Sequence, residues 1–424
     1  MVENRWETMD AARLSELATS PLICMARARM REIDAEVVAE QLRLVAIPAP
    51  TFQEETRAVF VEQRFRDLGL TEVHRDEVGN VLGRLPAGAE ATEVGGAALI
   101  TAHLDTVFPA ECRPEPRRVG DRIYSPGITD NSRGLAVMLA TARVMTESGL
   151  RPARPVWFIA TVGEEGAGDL YGVKHLLRDA GNFAGAAAFL SIDGSGLRRV
   201  VHRALGSRRL RVEIEGPGGH SWSDFGNANP IHVAGSAIAA LRDLILPPHP
   251  PTSITVARVG GGTTINAIPD LAWFEIDMRS EGRVELEKLE RQARDAILRA
   301  ARAENARRRR GTAEISVAVT TIGDRPSGFV GLDEPLLLAA MEATRLVGEE
   351  PQLVASSTDS NVAISLGIPA VTIGGGGDSG GIHTLDEWYD DRDGVKGLER
   401  ALLLTIAAAG GVTADGAGQG PTGS

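Results

Sequence analysis

The chain alternates between apolar runs of strand length and longer segments with apolar residues at helical spacing. In the first half, GNVLGRL, GGAALITA, PVWFIATVGEEG and AGAAAFLSIDG are typical of strands, whereas TRAVFVEQRFRDLGL and LAVMLATARVM are typical of helices. The same alternation returns after about Gly323, in EPLLLAAMEATRLVG, IPAVTIGGGG and GVKGLERALLLTIAAA. Strands that alternate with helices indicate an α/β fold whose sheet is largely buried.

The pattern changes between these two parts. RRLRVEIEG alternates apolar and polar residues, as in a strand with one wet face, and a helix, two strands, a long helix and a last strand follow. This β-α-β-β-α-β order predicts a split βαβ (ferredoxin-like) α+β domain inserted into the α/β domain. We therefore expect an N-terminal extension at 1–35, a main domain formed by 36–205 and 321–410, an insertion at 206–320, and a disordered tail at 411–424.

Composition limits the range of functions. A length of 424 residues suggests two domains, and 43% hydrophobic with 24% charged residues is ordinary for a globular protein. A formal net charge of −12 argues against nucleic acid or an anionic membrane as the main partner. The sequence has no apolar stretch of membrane-spanning length, and its N-terminus is acidic where a signal peptide is basic, so we expect a cytoplasmic protein.

Titratable residues follow the apolar strands and begin one helix. They are His103, Asp105, Asp130, Glu164, Glu165, Asp193 and His383. Ligands of open α/β sheets bind at the carboxyl ends of the strands, so we expect these side chains to meet at one rim. Taken singly, each motif is more typical of a turn or a cap, and only their combination indicates a site.

The combination suits a divalent metal centre. Two imidazoles and several carboxylates are ligands for cations such as zinc, and without a cation the carboxylates would repel one another. A carboxylate shared by two ions gives a two-metal site that polarises a carbonyl and activates water. In GEEG, one of the adjacent glutamates can bind metal while the other serves as a base.

The succession HLDT, GITDNSRG, GEEG, SIDG, GGHS and GGIHT resembles the clan MH metallopeptidase family, from about Glu36 to Ala409. The family includes peptidase T, glutamate carboxypeptidase, aminoacylase and succinyl-diaminopimelate desuccinylase. The resemblance implies a zinc-exopeptidase-like mixed sheet flanked by helices, and an inserted domain that serves as a lid and dimerisation domain.

The resemblance also implies roles for the rim residues. One metal is bound by His103, Asp130 and Asp193. The other is bound by Asp130, Glu165 and His383, so that Asp130 bridges. Glu164 is the general base, Asp105 orients the first histidine, and the peptide bond after the bridging aspartate is cis.

Three residues of the insertion match family positions. The resemblance implies that His220 in GGHSW reaches across a dimer interface and helps to hold the oxyanion, and that Asn266 faces the substrate. Arg279 matches the arginine that binds a substrate carboxylate, a task that suits a guanidinium. The alternative for Arg279 is a surface arginine at a strand end.

The resemblance leaves the substrate open. Relatives with aspartate at position 193 are more often aminopeptidases or dipeptidases, which favours a two-metal exopeptidase acting on di- or tripeptides. A carboxypeptidase or an N-acyl or N-carbamoyl amino acid hydrolase is the alternative, and a non-catalytic metal- or peptide-binding protein is a remote one. We expect two divalent ions, zinc before cobalt or manganese, and a homodimer.

Overall fold

The computed structural model describes residues 9–88, 96–179 and 183–414. The chain forms two compact units. The main unit comprises the described residues up to Ala204 and those from Phe329 onward, and the inserted unit is Leu205–Gly328. In the described ranges, no helix has both the length and the apolar character needed to cross a membrane.

The helices of the described residues, in chain order, are α1 (Ala11–Ala18), α2 (Pro21–Glu32), α3 (Asp34–Val45), α4 (Glu55–Asp67), α5 (Ser132–Glu147), α6 (Tyr171–Lys174), α7 (Pro230–Arg242), α8 (Arg283–Arg307), α9 (Pro335–Leu346), α10 (Ser360–Ser365) and α11 (Gly394–Ala408). A 3₁₀ turn lies at Gly166–Gly168, and a π turn continues α6 at His175–Asp179.

The strands of the described residues are β1 (Thr71–Arg75), β2 (Val81–Leu85), β3 (Ala98–His103), β4 (Arg117–Val119), β5 (Arg122–Tyr124), β6 (Leu150–Pro152), β7 (Val156–Thr161), β8 (Ala188–Ile192), β9 (Arg199–Ala204), β10 (Gly206–Glu215), β11 (Gly219–His220), β12 (Thr252–Gly261), β13 (Ala267–Ile268), β14 (Leu271–Ser280), β15 (Ser316–Arg325), β16 (Gly328–Phe329), β17 (Gln352–Ser356), β18 (Ala370–Ile373), β19 (Asp378–Gly380), β20 (Trp388–Asp390) and β21 (Val412–Ala414).

The large sheet of the main unit is mixed, with the order β1-β2-β7-β3-β8-β18-β9-β16 and β17 paired with β9. Its centre is parallel: β3 pairs with β7 and β8, and β8 pairs with β18. Strands β3, β8 and β18 are buried along their whole length, as expected for strands covered on both faces. The prediction of a mixed sheet flanked by helices is confirmed.

Helices cover this sheet. Helices α5, α9 and α11 pack on the central strands, and α11 also packs on α5 and α9, whereas α4 packs on β1 and β2. Helix α5 carries small residues on its packing face and is buried almost throughout, which lets it lie close to β3 and β8. The core therefore lies directly behind the strand ends that the sequence marks as a rim.

The N-terminal segment is more integrated than the expected extension. Helices α1 and α2 begin at the side-chain caps Asp10 and Ser20 and bury Leu14, Ile23 and Met30 in the core of the main unit. Burial of such side chains contributes about 1.5–3 kcal/mol each, so these helices are part of the main core. Residues 1–8 of the predicted extension lie outside the described residues.

Two predicted boundaries also differ. The expected tail from 411 begins with a strand, since β21 pairs antiparallel with β6, and residues 415–424 lie outside the described residues. The inserted unit ends at Gly328 rather than 320, because β15 continues to pair with β10 as far as Arg325.

The inserted unit has the predicted split βαβ topology. Its antiparallel sheet has the order β12-β14-β10-β15, and α7 and α8 pack on it. Asn229 caps α7 and Pro230 occupies its first position. Buried and partly exposed residues alternate along β14, so one face of the sheet forms the core and the other faces away from it.

Candidate active site

The rim residues follow parallel strands that end at the same edge of the main sheet. His103 is the last residue of β3, Glu164 and Glu165 follow β7, and Asp193 follows β8. Because β3 pairs with both neighbours, its histidine lies between the other two loops. The topology thus brings residues from three separate segments together.

The first group of possible ligands consists of His103, Asp130 and Asp193, whose donor atoms lie within 4.8 Å of one another. Nε2 of His103 is 2.9 Å from Asp130 Oδ1 and 3.8 Å from Asp193 Oδ1. The other ring nitrogen, Nδ1, lies 3.1 Å from the backbone oxygen of Asp105. This contact fixes the ring so that Nε2 points at the carboxylates.

The second group consists of Asp130, Glu165 and His383. Nε2 of His383 is 3.0 Å from Asp130 Oδ2 and 3.1 Å from Glu165 Oε1. Asp130 therefore presents one carboxylate oxygen to each imidazole. The structure brings all five sequence-predicted ligands together in two groups that share one aspartate.

Glu164 lies beside the first group. Its carboxylate, with Glu165 and His103, forms a further set of donor atoms within 4.8 Å. Glu164 is 5% exposed, so its carboxylate is largely shielded from solvent. A carboxylate in that position can exchange a proton with a water molecule bound in the cluster.

Asp105 holds the loop that carries both glutamates. It is fully buried, and the backbone N–H groups of Glu164 and Glu165 donate to its two oxygens at 3.0 and 2.9 Å. Its Oδ1 also lies 3.4 Å from Nδ1 of His103. Burial alone would raise the pKa of Asp105, but these contacts hold it below the ordinary value. Asp105 therefore positions residues of both groups.

The electrostatics of the cluster favour positive charge. Burial alone would lower the pKa of His103, but three nearby carboxylates raise it well above the ordinary value. Asp130 and Glu165 raise the pKa of His383 to about 10. Burial would raise the pKa of Asp130, but the two imidazoles outweigh it and hold that pKa below the usual range.

The donor set fits two divalent cations. Imidazole nitrogens and carboxylate oxygens are ligands that zinc and related metals accept. Asp130 Oδ1 is buried and accepts no well-oriented hydrogen bond from the described residues, although His103 Nε2 is only 2.9 Å away. An acceptor and a ring nitrogen that face the same space without hydrogen-bond geometry are suited to a shared cation.

Glu387 is a supporting residue that the sequence analysis missed. It is fully buried and accepts hydrogen bonds from the backbone N–H groups of Gly127, Thr129 and Asp130 at 2.6, 2.9 and 3.2 Å. Burial raises its pKa, against the effect of these hydrogen bonds. Glu387 therefore fixes the backbone that leads into the shared aspartate.

Asn131 supports the same segment from the other side. The Asp130–Asn131 peptide bond is cis, as the resemblance implies. The Asn131 side chain donates to the oxygen of Ile192 at 2.9 Å and accepts from the N–H of Gly194 at 3.2 Å. These two residues flank Asp193, so Asn131 connects the segment of Asp130 to the loop that carries Asp193.

In the inserted unit, His220 and Asn266 are neighbours. Strand β11 pairs with β13, His220 opposite Ala267, and the N–H of Ser221 donates to the oxygen of Asn266 at 3.0 Å. Nδ1 of His220 accepts from the N–H of Trp222 at 3.1 Å, so Nε2 carries the proton of the neutral ring. His220 is therefore prepared to donate a hydrogen bond from an exposed side chain.

Arg279 lies far from this pair within the inserted unit. It is near the end of β14, opposite Ser207, and its guanidinium contacts Asp277 at 2.7 Å. The ten residues of β14 span roughly 30 Å. The His220–Asn266 pair lies near the start of β14, so Arg279 and the pair are at opposite ends of the sheet.

Comparison with known proteins identifies relatives. The chain is 30% identical over 247 residues to succinyl-diaminopimelate desuccinylase of Corynebacterium glutamicum, covering 56% of this chain and 64% of that protein. It is 27% identical over 189 residues to carboxypeptidase G2 of Pseudomonas sp. (strain RS-16), covering 44% of each. The matched parts thus span less than two thirds of both relatives.

A solved structure covers more of the chain. The aminopeptidase PepT of Bacillus cereus ATCC 10987 has a TM-score of 0.71 and 25% identity, covering 89% of this chain and 99% of that one. Residues 99–406, which include the rim and the inserted unit, match Peptidase family M20/M25/M40. These matches confirm the resemblance found in the sequence motifs, and the chain belongs to peptidase family M20/M25/M40.

Proposed function

We propose that this protein is a metal-dependent amide hydrolase, a two-metal exopeptidase that releases the N-terminal residue of di- or tripeptides. The observation that carries the proposal is the pair of three-residue ligand groups that share Asp130 and have Glu164 beside them. Family membership supports the reaction class, since a peptidase breaks an amide bond.

Two divalent ions complete the site. His103 and Asp193 would hold one, Glu165 and His383 the other, and Asp130 both; zinc is the first candidate and cobalt or manganese are alternatives. When bound, the ions polarise the amide carbonyl and make a water molecule more acidic. The remaining work belongs to side chains of the chain itself.

Glu164 is the proposed general base. Its buried carboxylate takes a proton from the attacking water and passes it to the leaving amine. Asp105 is a positioning residue, because it holds the Glu164 backbone and the His103 ring rather than the reacting atoms. Such an arrangement keeps the base at a fixed distance from the ligands.

The inserted unit supplies the proposed substrate contacts. His220, with its proton on Nε2, donates to the oxyanion that develops on the amide carbonyl. Asn266 binds the substrate from the adjacent position. Arg279 binds a substrate carboxylate, for which its planar guanidinium is suited.

The separation of these residues supports a homodimer. A tripeptide spans at most about 11 Å, whereas the His220–Asn266 pair and Arg279 of one chain are separated by roughly 30 Å of strand. One short substrate therefore cannot contact both from a single chain. We infer that in a homodimer one copy contributes the His220–Asn266 pair to a site and the other copy contributes Arg279. A cytoplasmic location stays our prediction.

Substrate class is the finer part of the proposal. Asp193 and the likeness to an aminopeptidase favour free peptides. The likeness to a desuccinylase and a carboxypeptidase favours a second candidate, hydrolysis of N-acyl or N-carbamoyl amino acids or release of a C-terminal residue. Arg279 suits both, because all these substrates carry a carboxylate.

A substrate panel separates the candidates. Purified protein is loaded with zinc, cobalt or manganese and given free di- and tripeptides, the same peptides with blocked N-termini, and N-acyl amino acids. We expect release of free N-terminal residues from the unblocked peptides. Cleavage confined to the N-acyl compounds would replace the first candidate with the second, and no cleavage with any metal would contradict both.

A further inference from the structure

Phe52 has an exposed aromatic ring and a left-handed backbone, two unfavourable features that the stability of the fold does not explain. Its side chain is 61% exposed, and its backbone has φ of +72°, a left-handed conformation that is unusual for a bulky residue. An exposed aromatic ring gains little from burial, and the left-handed backbone adds strain. Residues held in such conformations cluster at functional sites.

The loop of Phe52 is attached to the active site on both sides. Immediately before it, the Thr51 hydroxyl donates to Asp105 Oδ2 at 2.9 Å. Two residues after it, Glu54 Oε1 accepts a hydrogen bond from the N–H of Gly163 at 3.0 Å. Asp105 and Gly163 are the residues that position Glu164. Phe52 therefore lies in a loop that is tied to Asp105, which holds the Glu164 backbone, and to Gly163, which precedes Glu164.

The Phe52 ring stacks on Tyr171, with ring centroids 5.6 Å apart and an angle of 25° between the planes. Tyr171 follows two further left-handed residues, Asp169 with φ of +55° and Leu170 with φ of +63°. Its hydroxyl donates to the oxygen of Val78 at 3.4 Å. The second ring is thus also delivered by a constrained backbone.

Tyr171 packs directly on the loop of the general base. A Cβ atom placed on Gly163 would lie 1.9 Å from the tyrosine ring, so only glycine fits there. Gly163 has φ of +63° and immediately precedes Glu164. The tyrosine therefore backs the loop of the base, and the phenylalanine extends this aromatic surface toward solvent.

We propose that Phe52, supported by Tyr171, forms an aromatic surface that contacts an apolar side chain of the substrate and makes the enzyme prefer such residues. The occupant is an aliphatic or aromatic side chain, because two stacked rings at a site rich in carboxylates offer the apolar contact that the ligand cluster lacks. This inference rests on the proposed function and specifies the substrate of that site.

The decisive variant is Phe52→Gly. Glycine adopts positive φ without strain, so this variant keeps the backbone conformation and removes only the ring. We measure kcat/KM for dipeptides in which one residue, at each position in turn, is glycine or leucine. The wild type should favour leucine, and Phe52→Gly should reduce the leucine-to-glycine ratio by about 10-fold, mainly through KM.

Two control variants isolate the ring. Phe52→Leu retains an apolar side chain and should keep most of the preference. Glu72→Gly replaces another left-handed residue, φ +52°, on strand β1 and should leave the ratio unchanged. A retained ratio in Phe52→Gly, an equal loss on all substrates, or a wild type without leucine preference would each overturn the proposal.

The proposal for Phe52 can be tested whether or not the proposed function is correct. If the wild type cleaves only N-acyl amino acids, the leucine-to-glycine ratio is measured with N-acyl-leucine and N-acyl-glycine instead. In that case only the aminopeptidase assignment fails. If the wild type cleaves nothing, calorimetric binding of leucine and glycine to the zinc-loaded protein provides the comparison. If the affinity for leucine relative to glycine is the same in the wild type and in Phe52→Gly, the proposed aromatic surface is refuted.

Discussion

The ligand cluster of the main unit and the His220–Asn266 pair of the inserted unit are built in opposite ways. The cluster gathers side chains from distant segments and supports them with buried carboxylates such as Asp105 and Glu387. The pair is exposed and held by contacts within a few residues of the chain or across one short strand pair. The cluster is thus preorganised within one chain, whereas the pair lies on an exposed surface of the inserted unit, where the proposed dimer would place a second copy.

The sheets behind the two regions differ in the same sense. Strands β3, β8 and β18 are buried on both faces, so their ends are fixed by a core on either side. Strand β12, at the edge of the inserted sheet, is only partly buried or exposed along its whole length. An open edge strand can pair with a second copy, which agrees with the proposed dimer.

The largest expected effect concerns Glu164, the proposed general base in the ligand cluster. Glu164→Gln keeps the size of the side chain but cannot accept the proton, so kcat should fall by about 10²–10⁴-fold. Metal content, measured by mass spectrometry, should stay at two ions per chain. An unchanged kcat would remove Glu164 from the mechanism.

The second prediction tests whether the exposed pair acts across a dimer. His220→Ala should lower kcat by about 10²–10³-fold through loss of an oxyanion donor. This variant and Glu164→Gln are then mixed, and their subunits are exchanged or unfolded and refolded together. Half of the resulting dimers contain one copy of each variant, and one of the two sites in such a dimer is intact. About a quarter of wild-type activity should therefore return. Each variant re-assembled alone is the control, and a mixture that stays inactive would place His220 in the site of its own chain.

The third prediction weakens the support of the cluster. Glu387→Gln removes a charged acceptor of three backbone N–H groups, and metal affinity should fall by about 10–100-fold. Asp378→Asn, at an exposed position of strand β19, is the matched control. Equal affinities of the two variants in a chelator competition would show that Glu387 does not hold the site.

The smallest expected effect concerns the free energy of burying the Asp34 carboxylate, which is measured in metal-free protein so that metal binding does not contribute. Burial, and then the nearby Asp391, raise the pKa of Asp34 to about 6. At this side chain the folded state therefore binds more protons than the unfolded state between pH 4 and 6, so the contribution of Asp34 to stability falls as pH rises through this range. We expect metal-free Asp34→Asn to be more stable than wild type at pH 8 by roughly 1 kcal/mol, a value reduced for solvent screening, and equal at pH 4.

Urea denaturation at both pH values measures this difference. Asp295→Asn, on the exposed face of α8, removes one negative charge without burial and is the control. A variant that is no more stable than wild type at pH 8 would mean that the buried carboxylate is compensated by its surroundings, as the ligand carboxylates are.

Sequence reasoning was most effective where chemistry follows a local pattern. His103 and Asp193 end or follow apolar runs that become central strands, so their position at the rim could be predicted. The split βαβ order of the inserted unit was equally visible in its alternating strands. In both cases, hydrophobic periodicity determines the element, and the element determines where its end lies.

The supports of the site could not be predicted in this way. Glu387 contacts Thr129 across 258 residues of chain, and no spacing in the sequence links the two segments. The left-handed backbone of Phe52 lies between Thr51 and Glu54, whose hydrogen bonds to Asp105 and Gly163 join segments far apart in the sequence. The strand β21 was missed because its glycine-rich surroundings resemble a tail, although β6 provides a partner.

Anomalous diffraction from crystals grown with zinc would locate the metal ions themselves. We expect two peaks about 3.5–4 Å apart, one between His103 and Asp193 and the other between Glu165 and His383, with Asp130 within ligand distance of both. A single peak, or zinc bound away from these five side chains, would contradict a two-metal site at the rim of the main sheet.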